Sequence, residues 1–198
     1  VYDYTNLQAQ DSIANQPIIR NVGKAEVKGA EFEFAALLSD IFQIDGSVTY
    51  LDALFTEGEL TEPLRPAPLT QDPGSLLRNL DGLRLPRAPE WKMNVGAQAD
   101  FSAFGGDVTL RADYAWQDEI FFTVFNIKAA SQDSYGVVRA RATYAPASGR
   151  YKVALFGENL SDETYFTNQI LTGTTYGAEF VGSLGAPRTF GLELSTQF

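Results

Sequence analysis

The most regular stretch of the sequence reads Trp91-Lys-Met-Asn-Val-Gly-Ala-Gln-Ala-Asp-Phe101. Apolar residues stand at every second position from Trp91 to Phe101, and Lys, Asn, Gly, Gln and Asp stand between them. Side chains alternate between the two sides of a β-strand, whereas the helical period would scatter this apolar set around the whole circumference. The stretch is therefore predicted to be a β-strand with one apolar and one polar face.

The same alternation recurs in both directions along the chain and predicts eight strands. They are expected at about 1–7, 24–37, 42–50, 91–101, 107–117, 138–144, 151–159 and 189–198. In the second of them the apolar positions change from odd (Ala25, Val27) to even (Ala30, Phe32). One extra residue would cause that change, so a β-bulge is predicted at Lys28-Gly29.

The connections between these strands alternate between long and short. Long ones are predicted at 8–17, 57–85, 126–133 and 161–186, and short ones at 38–41, 103–106 and 146–150. This rhythm is typical of an up-and-down antiparallel barrel in the outer membrane, with tight periplasmic turns and long external loops. A soluble sandwich with Greek-key connections has no reason to keep it. The predicted fold class is an all-β transmembrane barrel, with aromatic girdles at Trp91 and Trp116 on one side and at Phe101, Phe104, Tyr144, Tyr151 and Phe198 on the other.

The amino-acid composition excludes several classes of catalytic site and argues against several binding partners. The chain has no cysteine and no histidine, which removes thiol catalysis, zinc–thiolate sites and the commonest general base. We therefore expect neither an enzyme nor a bound cofactor. The net charge of −10 argues against nucleic acid and against a basic surface held on anionic lipid. No leader segment precedes Val1, and we expect that an N-terminal portion of the protein is missing.

Four strings resemble the C-terminal barrel region of TonB-dependent receptors. They are Asn21-Val-Gly-Lys-Ala-Glu-Val-Lys-Gly-Ala-Glu-Phe-Glu-Phe34, Leu85-Pro-Arg-Ala-Pro-Glu-Trp91, Glu158-Asn-Leu-Ser-Asp-Glu-Thr-Tyr165 and Gly185-Ala-Pro-Arg-Thr-Phe-Gly-Leu-Glu-Leu-Ser-Thr-Gln-Phe198. The resemblance implies that residues 1–198 are about the last eight strands of a 22-stranded barrel, without its N-terminal plug domain. It also implies TonB-dependent uptake of a scarce nutrient, most often a ferric siderophore, across the outer membrane of a Gram-negative bacterium. The implied partners are the lipid bilayer, TonB (through the missing N-terminal region), the barrel-assembly machinery and a small-molecule ligand.

Two other classes of protein remain as alternatives. One is an outer-membrane pore or adhesin without a plug. The other is a soluble carbohydrate-binding or hydrolytic β-domain, whose apolar faces would pack sheet against sheet. The composition of the loops does not separate an iron chelate from an oligosaccharide as the ligand.

Candidate site residues are chosen either because they lie on the polar face of a strand or because they lie in a long loop. By parity we expect Glu31, Glu33, Arg111, Arg139 and Arg141 to face the barrel interior. The resemblance implies that Glu31 and Glu33 pair with plug arginines, and that the three arginines meet plug carboxylates. The alternative for all five is a solvated wall charge. In the loops, Arg65, Arg78 and Arg84 suit an anionic chelate, and Tyr165 and Tyr176 suit an aromatic or sugar ring, or else these residues have ordinary loop roles. Phe198 resembles the signal read by the barrel-assembly machinery, or is a girdle aromatic.

Overall fold

The computed structural model describes residues 1–13, 16–62, 77–172 and 179–196, with only the backbone described at 10–13 and 16–18. Eight strands pair antiparallel in one sheet in chain order. They are β1 (Tyr2–Ile13), β2 (Gln16–Ser39), β3 (Phe42–Thr61), β5 (Trp91–Ala103), β6 (Gly106–Gln117), β9 (Tyr135–Pro146), β10 (Tyr151–Glu158) and β13 (Thr189–Thr196). The predicted number of strands and their meander order are confirmed.

Shorter elements lie in the long connections. β4 (Leu77–Asn79) pairs with β3, β7 (Ile120–Phe121) pairs with β8 (Ser131–Gln132), and β11 (Phe166–Leu171) pairs with β12 (Phe180–Leu184). A 3-10 turn, Lys128–Ala130, precedes β8. In the part of the chain that the structure describes, no helix is long and apolar enough to cross a membrane.

The register of the sheet places the polar positions of neighbouring strands side by side, and likewise the apolar positions. Asp45, Gly96 and Asp113 pair across β3, β5 and β6. One residue away, Ile44, Ala97 and Ala112 pair across the same strands. Because paired residues project to the same side, the sheet has a polar side, which carries Asp45 and Asp113, and an apolar side, which carries Ile44 and Ala112.

The apolar side is exposed rather than packed. Phe32, Leu155 and Leu192 on this side are 64%, 60% and 69% exposed. Among the described residues no second sheet covers them, so the soluble two-layer alternative is wrong. Along β5, the ten-residue step from Trp91 to Phe101 spans about 33 Å, which at the usual barrel tilt corresponds to an apolar band about 25 Å tall.

The short connections form where the sequence predicts them. β2 and β3 are joined at Asp40-Ile41, β5 and β6 at Phe104-Gly105, and β9 and β10 at residues 147–150. Phe104 and Gly105 both have positive φ angles, of 56° and 74°. The backbone of this turn therefore matches the two-residue type that suits the twist of a hairpin.

The strands at the opposite end are longer than predicted. Residues 8–13 and 16–17, expected in a loop at 8–17, pair within the β1–β2 hairpin, for example Gln8 with Asn21. β3 likewise continues to Thr61, where it pairs with Leu77 at the start of β4. The polar sequence there resembles a loop, but pairing with a neighbouring strand satisfies the backbone whatever the polarity of the side chains.

The predicted bulge at Lys28-Gly29 is wrong. Pairing with β3 runs without a break from Lys28–Asp52 through Gly29–Leu51, and the register shift lies between Lys24 and Ala25. Ala25 therefore faces the same side as Glu31, and it is buried opposite Phe55. The change of parity reflects a second apolar environment on the polar side of the sheet, not an inserted residue.

Candidate functional site

The centre of the polar side is an ionic cluster around Arg111. Its guanidinium binds both oxygens of Asp45, with an Nη2–Oδ2 distance of 2.8 Å, and its Nε donates to Oδ1 of Asp113 at 2.9 Å. Gly96 lies between the two aspartates, and a Cβ there would be 1.9 Å from Nη2 of Arg111. Glycine at this position provides the space that the guanidinium occupies, so four residues on three strands form one unit.

We expect Arg111 and Asp45 to be energetically coupled. In a double-mutant cycle of Arg111→Gln and Asp45→Asn, the coupling energy should be about 1 kcal/mol, because the pair is bidentate but only partly buried. Equilibrium unfolding of the membrane-embedded protein measures it. The matched cycle is Arg139→Gln with Glu158→Gln, a more exposed pair at 3.3 Å, and it should give about half as much or less. Equal coupling in the two cycles would contradict the special role of the Arg111 cluster.

The other two predicted interior arginines are also paired within the wall. Arg139 contacts Glu158. Arg141 donates to Glu193 at 2.8 Å, with its guanidinium carbon 5.8 Å from the centre of the Phe156 ring. The first pair joins the neighbouring strands β9 and β10, the second spans from β9 across β10 to β13, and in each pair the two charges neutralise one another.

Glu31 and Glu33 differ from these arginines. Both are exposed on the polar side of β2, opposite Thr49 and Ser47. Glu31 accepts a hydrogen bond from the Thr49 hydroxyl at 3.4 Å. Among the side chains that the structure describes, neither glutamate contacts a cation. This part of the polar side therefore carries two uncompensated carboxylates.

The long connections fold over the polar side of the sheet at the end opposite the short turns. Val22, Phe55, Leu60, Leu80 and Phe125 form a buried apolar cluster. Phe55 projects from the polar side of β3, so Leu80 and Phe125, which come from two different connections, must pack on that side. The connections are thus joined into an apolar core of their own.

Polar contacts also join the connections. The side chain of Asn126 accepts from the backbone N–H of Arg84 at 2.8 Å and donates to its carbonyl at 2.9 Å. Gln132 accepts from the N–H of Phe166 at 2.7 Å, and Arg87 donates to Asn168 at 2.5 Å. Three connections that are far apart in sequence are therefore held together.

Within one of these connections Lys128 bridges two carboxylates. It lies 2.5 Å from Asp133 and also contacts Glu119. Hydrogen bonds to Asp133 and Glu119 raise the pKa of Lys128 above its ordinary value, and the same contacts link the two ends of the connection.

The last connection begins and ends at a cluster that we call the loop-base clasp. It consists of Asn159, Asp162, Tyr165, Gly185, Ala186 and Arg188. Asn159 donates to the carbonyl of Ala186 at 3.0 Å, and Arg188 donates to Asp162 at 2.9 Å. Two of the quoted sequence strings, Glu158 to Tyr165 and Gly185 to Phe198, therefore meet in space.

The ring of Tyr165 is half-buried and packs against Tyr135 and Gly185. It stacks on Tyr135 with ring centres 4.2 Å apart, and a Cβ on Gly185 would lie 2.2 Å from the ring. Its predicted role in stacking on a ligand would require it to leave this position. The predicted loop arginines are engaged too, Arg78 with Glu62 and Arg84 with Glu90, each at 3.0 Å. Arg65, Tyr176 and Phe198 lie outside the described residues.

A family model described as TonB dependent receptor-like, beta-barrel matches residues 1–160 of the 198. The chain belongs to the TonB-dependent receptor β-barrel family. This family is one of receptors rather than enzymes, in agreement with the prediction from the composition. No curated protein matches the sequence.

Solved structures of receptors share the fold. The ferric yersiniabactin uptake receptor FyuA from Yersinia pestis matches with a TM-score of 0.72 at 18% identity, over 91% of this chain and 25% of that receptor. The siderophore receptor PiuA from Acinetobacter baumannii gives 0.68 at 20% identity, over 97% and 24%. The pyoverdine outer membrane receptor FpvA from Pseudomonas aeruginosa PAO1 gives 0.61 at 18% identity, over 99% and 26%. The chain thus spans about a quarter of the length of these receptors.

The family strings have structural roles that their sequence alone did not reveal. Asn159, in one of these strings, binds across the clasp, and Gly96, outside them, accommodates Arg111. The position of Asn159 in a recognised receptor string was a signal, but its partner, Ala186, is 27 residues away. Nothing near Gly96 in the sequence indicates that an arginine from the next strand lies over it. Among the described residues no group of carboxylates is arranged to hold a metal ion.

Proposed function

We propose that residues 1–198 are the C-terminal segment of the barrel of an outer-membrane receptor that imports a ferric siderophore in a TonB-dependent manner. The observation that carries the proposal is the two-sided sheet. Its apolar side is exposed along the length of a membrane crossing, while its polar side holds the ionic cluster of Arg111. The relatives described above are named as receptors of yersiniabactin, of siderophores and of pyoverdine, which favours an iron chelate over a carbohydrate.

The proposed location is the outer membrane of a Gram-negative bacterium, with the apolar side against lipid. Strand insertion by the barrel-assembly machinery, read through Phe198, is part of the proposal, as is coupling to TonB through an N-terminal region. In the proposed receptor Arg111, Arg139 and Arg141 line the interior as neutralised wall residues. Arg78 and Arg84 can bind an anionic chelate by exchanging their carboxylate partners, Glu62 and Glu90.

Uptake by cells tests this function. A strain without the full-length gene should lose accumulation of radioactive iron from at least one defined ferric siderophore, and complementation should restore it only when TonB is present. A pore would instead give uptake that persists without TonB, and an adhesin would change no uptake. Either of these two outcomes would overturn the proposal.

We further propose that Glu31 and Glu33 bind basic groups of the plug domain inside the barrel. Two buried charge-assisted hydrogen bonds are worth about 3–6 kcal/mol together, so Glu31→Gln with Glu33→Gln should destabilise the plug by up to about that amount. Thermal unfolding of the plug in the full receptor, followed by protease sensitivity, measures the loss. The control is Glu31→Asp with Glu33→Asp, which keeps both charges. A plug that is equally stable in the double glutamine variant would contradict the contact.

A further inference from the structure

A groove crosses the apolar side of the sheet. Its floor consists of four small residues that the register places in one row across β5, β6, β9 and β10, namely Ala97, Ala112, Ala140 and Gly157. The groove has a volume of about 660 Å³, within the range of about 300–1,000 Å³ that is typical of ligand sites. Each of the four strands is paired on both sides, so the floor does not lie at an edge of the sheet.

Large apolar side chains form the walls of this groove. Leu110 and Leu155 stand in the next row toward the short turns, and both are exposed. Leu160 and Phe190 close one end, because they lie over Gly157, where an added Cβ would be 2.5 and 3.2 Å from their side chains. The groove is therefore a depression with a wall and a closed end, and not only a row of small residues.

The chemistry of the lining restricts the occupant to hydrocarbon. Among the described residues that border the groove, Arg111 and Arg141 are the polar ones, and their side chains project to the opposite side of the sheet. The groove thus offers its occupant neither a charge nor a side-chain hydrogen bond. It is continuous with the outward-facing apolar band of the barrel, where the hydrocarbon available is the acyl chain of a lipid.

The depth and direction of the groove indicate which acyl chain fits. Ala97 is four residues from Phe101, which corresponds to about 13 Å along β5 and to about 10 Å of depth at the usual strand tilt. The groove therefore lies at the depth of the acyl chains of the leaflet at the short-turn end. Paired residues line up at right angles to their strands, so the groove is inclined by about 50° to the bilayer normal. A straight chain would cross it, whereas a bent chain can lie along it.

We propose that this groove binds one acyl chain of a phospholipid from the leaflet at the short-turn end, and that it prefers a cis-unsaturated chain. The inference rests on the proposed location of the receptor in the outer membrane. Association within a membrane depends on close packing, because lipid chains are as apolar as the side chains they contact. A bent chain in the groove contacts the floor and the walls together, and so gains dispersion contacts that a chain on a flat surface lacks.

Binding of single phospholipid molecules to the full receptor, measured by native mass spectrometry from detergent, tests the groove. The probes are dioleoyl phosphatidylethanolamine and its trans isomer, dielaidoyl phosphatidylethanolamine, which have the same headgroup, mass and chain length. We expect the dissociation constant of the cis lipid to be at least about fivefold lower, which corresponds to roughly ten additional carbon–carbon contacts.

A matched pair of variants locates the preference. Ala140→Leu fills the centre of the floor and should raise the dissociation constant of the cis lipid to that of the trans lipid. Ala36→Leu is the control, because Ala36 pairs with Ile44 in the same row of the sheet but does not border the groove. The control should keep the full preference for the cis lipid. The comparison of the two lipids in the unsubstituted receptor decides the question even if Ala140→Leu does not fold.

Each contrary result has its own meaning. Equal constants for the two lipids in the unsubstituted receptor, or a cis preference that persists in Ala140→Leu, would overturn the groove as a lipid site and leave the membrane location intact. A receptor dimer that Ala140→Leu dissociates would identify a second copy of the receptor as the occupant and would also overturn the proposal. Failure of the folded receptor to insert into bilayers of these lipids would overturn the location itself.

Discussion

Asn159→Ala is expected to open the base of the last long connection and to cost about 3–5 kcal/mol of local stability. The side chain is only 5% exposed and makes four hydrogen bonds. It donates to the carbonyls of Glu163 and Ala186 at 2.8 and 3.0 Å, and accepts from the N–H of Glu163 and the hydroxyl of Ser161 at 3.0 and 3.3 Å. Alanine leaves these partly buried groups without partners, and it fits poorly at the φ angle of 49° that asparagine tolerates.

The effect should be local before it is global. We expect faster proteolytic cleavage within 161–186 and faster amide exchange at Glu163, while strands far from the clasp remain protected. Asn94→Ala is the control. It removes the same side chain from an exposed part of β5, where the described structure shows no hydrogen bond to the side chain of Asn94. If the protease cleaves the Asn159→Ala and Asn94→Ala variants at the same rate within 161–186, the clasp does not hold the connection.

Gly23→Ala is expected to separate β2 from β3 at the end opposite the short turns. The free energy of unfolding should fall by about 3 kcal/mol or more. A Cβ at position 23 would lie 1.8 Å from the carbonyl oxygen of Glu57, an atom of the neighbouring backbone that cannot turn away. The two strands would have to move apart where Gly23 pairs with Gly58. Val22 and Leu60 in the adjacent apolar cluster would then lose their packing, which is the main source of the cost.

Gly82→Ala separates this steric effect from backbone preference. Gly82 has a left-handed φ angle of 78°, but nothing lies within 4 Å of an added Cβ. We expect that variant to lose only about 1–2 kcal/mol. Unfolding of the membrane-embedded receptor with urea, with amide exchange across 20–25 and 55–60, measures both. Equal losses in the two variants would show that the strands do not approach as closely as the structure has them.

The alternation of residues determined most of the fold directly. In β5 the period of two identified the strand and its two faces, because the side chains of a strand point alternately to opposite sides. Short turns at Phe104-Gly105 and near Ser148 followed from their residues, since local sequence decides a tight turn. The side occupied by Glu31, Arg111 and Arg141 followed from the same parity.

Only the tertiary structure decided the rest, because it depends on residues that are far apart in sequence. The bulge was misplaced because Ala25 is buried opposite Phe55, a member of the apolar cluster to which two distant connections contribute, and a local pattern cannot distinguish that from an inserted residue. Strand register decides that Arg111 pairs with Asp45, which lies 66 residues earlier. Loop packing decides that Tyr165 lies against Tyr135 and Gly185. Sequence thus set the face of most strand side chains, with Ala25 as an exception, whereas the folded sheet alone set their partners.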